Sequence, residues 1–198
     1  MASPRGLLAG ALSLLGLALP AGRAAAATLD EARASEFFRW FHLEEAESGR
    51  DPRGAETRLF RPQDEKFRQL AAVELTLGER GRIGQARLVL ARSFIEDSWN
   101  SSFARDIAKS FLLFAAPPAD APALKDLVDE IQLRDLRGPI LMRTGPPEVP
   151  AEPSAAYRAF AGELPEARLA LPGAEISFLN RGSRNGGELV IAATPRTP

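Results

Sequence analysis

The chain has 198 residues, with 25 Lys and Arg against 26 Asp and Glu, one His and no Cys, for a formal net charge of −1. Without thiols it folds without disulfides, has no thiolate for a metal or a nucleophilic step, and offers no cysteine for a lipid anchor. Near-balanced charge also argues against a nucleic-acid partner, which needs a basic excess or stripe.

Residues 1–27 read as an export signal. Arg5 gives a positive start, Gly6 to Pro20 an apolar run, and Ala25-Ala26-Ala27 the small residues of a cleavage site. The run is shorter than the roughly 20 apolar residues that cross a bilayer and is interrupted by Gly10 and Gly16, so no integral membrane segment is expected. Cleavage near Ala27 predicts a periplasmic or extracellular protein. Residues 28–198 then form one domain, whose net charge moves from −1 to −3 with the loss of Arg5 and Arg23. All the basic residues except Lys66, Lys109 and Lys125 are Arg, spread over every segment, which reads as the coding bias of a high-GC bacterium rather than a recognition patch.

Thr28-Leu29-Asp30-Glu31 has the spacing of a capping box and predicts a helix start. Phe37, Trp40 and Phe41 at i, i+3, i+4 continue it, and Ser48-Gly49 with Asp51-Pro52 ends it, giving a helix over 28–49. Residues 50–65, charged and with two prolines, read as a surface connection. The period then becomes two: Val73, Leu75 and Leu77 alternate with Glu74 and Thr76, Gly78-Glu79-Arg80-Gly81 makes a turn, and a second strand runs from Arg82 to Ile95. Leu88, Leu90 and Phe94 share its greasy face; Arg87, Val89, Ala91 and Ser93 share a mixed one.

Ser102 is positioned to cap a second long helix with a Phe103, Ile107, Phe111, Phe114 stripe, stopped by Pro117-Pro118. Asp120 is positioned to cap a third, with Leu124, Leu127, Val128 and Ile131 inward and Gly138-Pro139 at its end, so the two should form a helical hairpin. Residues 139–144 could hold a short strand, and the proline-rich 145–153 reads as an extended linker. Ser154 caps a short helix to Ala161, and strands follow over 167–171, 174–179 and 188–193, the last two joined by the Gly-rich loop 181–187. The expected fold is α+β, an antiparallel sheet of about five to six strands covered by helices on one face.

Motifs for chemistry are few. His42, expected on the first helix, is the sole histidine, too few for a multi-His zinc site, and no Gly-x-Ser-x-Gly elbow accompanies any Ser. The Gly-rich loop 181–187 lacks the strand–turn–helix setting and the Lys of a phosphate loop. Glu44-Glu45 and Asp129-Glu130 are neighbours in sequence that diverge on a helix, so they suggest no acid–base pair. No catalytic residue, metal ligand or cofactor is therefore assigned.

Two clusters could bind. Phe37, Phe38, Trp40 and Phe41 cover more than one helical face; the plain account puts 37, 40 and 41 in the core with Phe38 on the flank, and the alternative gives Phe38 a ligand or partner. Trp99, with Arg105 and Lys109 one turn apart beyond it, lies where a strand meets a helix, a setting for an anion or small ligand, although Asp106 could instead pair with Lys109. The candidate binding residues are thus Phe38, Trp99, Arg105 and Lys109. The leading function is an exported, non-enzymatic binding or accessory protein of the cell envelope, its partner an unidentified protein or a small apolar ligand. One alternative is a carrier holding an apolar ligand or lipid between sheet and helices, which needs a cavity there. The other is an enzyme using carboxylate and Arg chemistry, which needs a cleft of converging carboxylates.

Overall fold

The computed structural model describes residues 27–97, 99–134, 152–182 and 186–196. The export signal, the possible strand at 139–144, almost all of the 145–153 linker and the middle of the 181–187 loop lie outside these residues.

The capping box forms as read. The Glu31 amide donates to Thr28 Oγ1, the Thr28 amide to Glu31 Oε2, and α1 spans Leu29–Ala34. The helix does not continue to residue 49. Ser35 takes an extended conformation, ending α1 and capping α2 (Glu36–Trp40), whose Phe38 amide donates to Ser35 Oγ. At His42 the chain turns with φ of 44° and enters a strand, β1 (Leu43–Arg50), which pairs with β2 (Glu56–Pro62). The expected tail of the first helix and its charged connection are therefore a β-hairpin. Its tip is closed by the Asp51 carboxylate, which accepts the amides of Arg53 and Ala55. A short helix α3 (Glu65–Arg68) leads into β3 (Ala71–Leu77) and β4 (Ile83–Ala91), the hairpin legible in sequence.

Beyond Ala91 the expected strand becomes helix α4 (Arg92–Glu96), and α5 (Ser101–Ala115) follows. Ser102 lies inside α5 rather than capping it; Asn100 is the capping position. Helix α6 (Ala121–Leu133) stops before Gly138, and α7 (Ala155–Phe160) is capped by Ser154, whose hydroxyl accepts from the Tyr157 amide. Strands β5 (Glu166–Ala170), β6 (Ala174–Arg181) and β7 (Glu188–Pro195) complete the described chain.

All seven strands are antiparallel, in the order β1-β2-β3-β4-β7-β6-β5. Two meanders meet where β4 pairs β7, and the helices between them cross one face, which is the α+β arrangement expected, with one or two strands more. Register explains the division of faces. Leu75, Leu88, Leu90, Ile176, Phe178, Leu189 and Ile191 point inward and are fully buried with Ile107, Phe111 and Leu112 of α5 and Leu124 and Ile131 of α6. The opposite face carries polar ladders, with Arg87 Nη1 on Glu74 Oε1 at 3.4 Å and Gln85 Nε2 donating to Thr194 Oγ1 at 3.1 Å.

Buried polar groups tie the layers. Asp120 is fully buried; instead of capping α6 with its side chain, it accepts the Gly173 amide in the β5–β6 turn. Arg92 is also buried. Its guanidinium donates to the carbonyls of Phe160 (2.7 Å) and Ala161 (2.9 Å) and reaches Glu96, so α4 is bolted to the end of α7. Gly162, at φ +82°, follows that carbonyl pair, and a Cβ there would run into the Arg92 guanidinium. Arg92→Met should cost about 1–3 kcal/mol for each buried carbonyl left without a donor, less whatever water can reach. A urea denaturation midpoint unchanged by the substitution would show that the bolt carries no stability.

Candidate binding surface

The break at Ser35 decides which aromatics are available. In one helix running from residue 28, positions 37, 40 and 41 would share a stripe; after the break α2 has only five residues and Phe41 already leaves helical geometry. The result reverses the expected phase. Phe37, Phe38 and Phe41 are buried, while Trp40 is 78% exposed. Phe38, the expected flank residue, packs edge-on against Phe60 at 4.9 Å between centroids and lies 5.7 Å from both Phe37 and Phe114. Phe37 in turn stacks on Phe114 at 5.1 Å. These rings fill the space between α2, α5 and the sheet.

The aromatic cluster runs on to the end of the molecule where α5 begins. Phe41 meets Phe103 edge-on at 5.4 Å, Phe103 stacks on Phe67 at 4.3 Å, and Lys66 Nζ sits 5.2 Å from the centre of the Phe67 ring. Trp40 directly precedes Phe41 and Trp99 lies four residues before Phe103, so each tryptophan is close in the chain to a ring of this cluster. Trp99 is 90% exposed on a well-fixed backbone. The amides of Trp99 and Asn100 donate to Asp97 Oδ1 at 2.6 and 3.2 Å, and the Asn100 side chain donates to Oδ2 at 3.2 Å. These bonds, with the Trp99 amide dominant, hold the Asp97 carboxyl below its ordinary pKa.

Around His42 lies an open depression of about 420 Å³ lined by Arg33, Phe38, Arg39, His42, Leu43, Glu44 and Gln63. His42 is not on a helix. Its left-handed backbone, which an L-residue adopts at a cost of about 1 kcal/mol, reverses the chain, and the turn is pinned at both sides. The His42 amide donates to the Arg39 carbonyl at 3.3 Å, and the Gln63 amide donates to the His42 carbonyl at 3.0 Å. Arg33 is ion-paired with Glu45 and lies 5.8 Å from the centre of the Phe60 ring. Glu45 is held below the ordinary carboxylate range chiefly by its hydrogen bond with Arg58, with Arg33 adding to the effect.

Of the residues singled out in sequence, Phe38 lines this depression from within the core, and Trp99 stands exposed on the surface. Arg105 and Lys109 turn the other way. Arg105 Nη1 donates to the Arg134 carbonyl at 2.7 Å and Lys109 Nζ to Gln132 Oε1 at 3.0 Å, so both cations stitch α5 to the C-terminal end of α6. Lys109 meets Gln132 where Asp106 was expected. The sequence reading missed Trp40, Arg39 and Gln63 as surface features. The signal it passed over was Ser35-Glu36, a capping serine and a first-turn acid that restart the helix.

The architecture is that of a cysteine-free α+β protein with a seven-stranded antiparallel sheet. Set beside known proteins it finds no counterpart: no family model, no curated protein and no solved structure matches the chain.

Proposed function

We propose that the protein is exported by its N-terminal segment and serves in the cell envelope as a non-enzymatic binding component, meeting a protein partner through Trp40 and Trp99. The observation that carries this reading is the exposure of the two tryptophans, 78% and 90%, in a chain whose phenylalanines at 37, 38 and 41 are buried. Tryptophan is among the side chains most often found at the energetic centre of protein interfaces. Their charged neighbours are mixed, Glu36 and Arg39 around Trp40 and Asp97 with Lys66 near Trp99, whereas an anionic lipid surface would call for a basic excess. The carrier alternative draws less support, because phenyl rings occupy the space between helices and sheet where its ligand would lie.

A photo-crosslinking residue placed at position 40 or 99 in the source organism should give a discrete adduct in the envelope fraction. The same residue at position 168, exposed on edge strand β5, should give none. Retention of the protein in the cytoplasm, or equal adducts from all three positions, would remove the proposal.

A further inference from the structure

We infer that the depression beside His42 is a subsite for a small organic monocarboxylate with an apolar body. Its polar lining is weighted toward donors. Arg39 and His42 are exposed and three residues apart across the turn that leaves α2, and Gln63 brings an amide from the far side of the β1–β2 hairpin. A carboxylate accepts from such groups through short, charge-assisted bonds. The floor is apolar, made by the face of Phe38 and by Leu43, which suits a ring or a branched alkyl group.

The remaining charges narrow the class. Arg33 is already engaged by Glu45, and Arg58 shares that same carboxylate, so among the described residues of the lining Arg39 is the guanidinium not shown in an ion pair, with the His42 ring beside it as a hydrogen-bonding group. Glu44 is also on the lining, and its negative charge repels a dianion such as phosphate or a dicarboxylate about twice as strongly as a monocarboxylate at the same distance. The volume, about 420 Å³, lies in the usual range for small-molecule sites. The backbone that carries these donors is set before a ligand arrives. His42 is locked in its left-handed turn by the two backbone bonds to Arg39 and Gln63, so the turn itself has no ordering left to do on binding. Non-glycine residues kept in that conformation concentrate at functional sites.

The inference rests on the binding role proposed above but not on its protein partner: benzoate binding without crosslinks from positions 40 and 99 would keep the subsite and remove that partner. Because His42 is the sole histidine, its imidazole carbon–proton resonance is a unique reporter. Titration of the full-length protein with benzoate should move that resonance along a saturating curve, with the Gln63 side-chain amide moving in parallel. Benzamide, the same shape without the charge, and inorganic phosphate should each bind at least about tenfold more weakly, the scale of one charge-assisted hydrogen bond. By calorimetry Arg39→Ala should lower benzoate affinity by a similar factor, and His42→Gly should do the same while keeping the fold, since glycine accepts a φ of +44° without strain. Equal responses to benzoate and benzamide, a shift that never saturates, or Arg39→Ala binding benzoate as the unmodified protein does would overturn it.

Discussion

Phe111→Ala should lower the stability of the protein by about 3–5 kcal/mol, the range for removing a fully buried phenylalanine. Phe111 is 0% exposed and lies on the face of α5 that meets the sheet, 6.0 Å from Phe37 and 6.4 Å from Phe114 between ring centres. It sits in one core that α2, α5, α6 and the sheet fill together, so the cavity cannot collapse cheaply. Phe111→Leu, which keeps most of the volume, should cost much less. Urea unfolding of the two variants measures both values; equal midpoints for Phe111→Ala and the unmodified protein would mean that the α5 stripe does not bear on the core.

Phe38→Ala and Trp40→Ala should differ by several kcal/mol despite standing two residues apart. Phe38 is 3% exposed and surrounded by Phe37, Phe60 and Phe114, so its truncation empties the junction between α2, β2 and α5 and should cost about 3–5 kcal/mol. Trp40 is 78% exposed, and its loss should stay within about 0.5 kcal/mol, the usual limit for surface changes. Thermal melts decide between this order and the reverse one that a continuous helix over 28–49 would produce. A large drop in melting temperature for Trp40→Ala with a small one for Phe38→Ala would restore the continuous helix and withdraw Trp40 from the binding surface.

Where a segment's periodicity came from packing on one side, it could be read directly. Val73, Leu75 and Leu77 alternate because every second residue of β3 faces the helices, and Ile107, Phe111 and Phe114 recur at helical spacing because one side of α5 faces the sheet. The candidate site was harder to see. Strand β1 has no buried residue at all, being an edge strand wetted on both faces, so Leu43 to Arg50 shows no alternation and passes for the tail of a charged helix. Strand β2 hides in the same way behind Arg58 and Arg61, which lie half-buried along it. Trp99 was identified as a binding candidate and is exposed. Arg105 and Lys109 were grouped with it by nearness in sequence, and helical rotation sends them to α6 instead.

The sequence by itself determined the α+β class, the β3–β4 hairpin, the α5–α6 pair and the last three strands, because local turn residues and a one-sided hydrophobic pattern encode those elements without reference to distant chain. Only the tertiary structure decided that β4 pairs with β7 to join two meanders into one sheet, that the first helix breaks at Ser35, and that Trp40 rather than Phe38 faces outward. Each of these turns on energy shared between residues far apart in the chain. Phe38 is drawn inward by Phe60 and Phe114, and with only five residues in α2 no rotation buries Phe37, Phe38, Trp40 and Phe41 together, so the indole, the one ring of the four with a polar N–H, is the ring left in solvent.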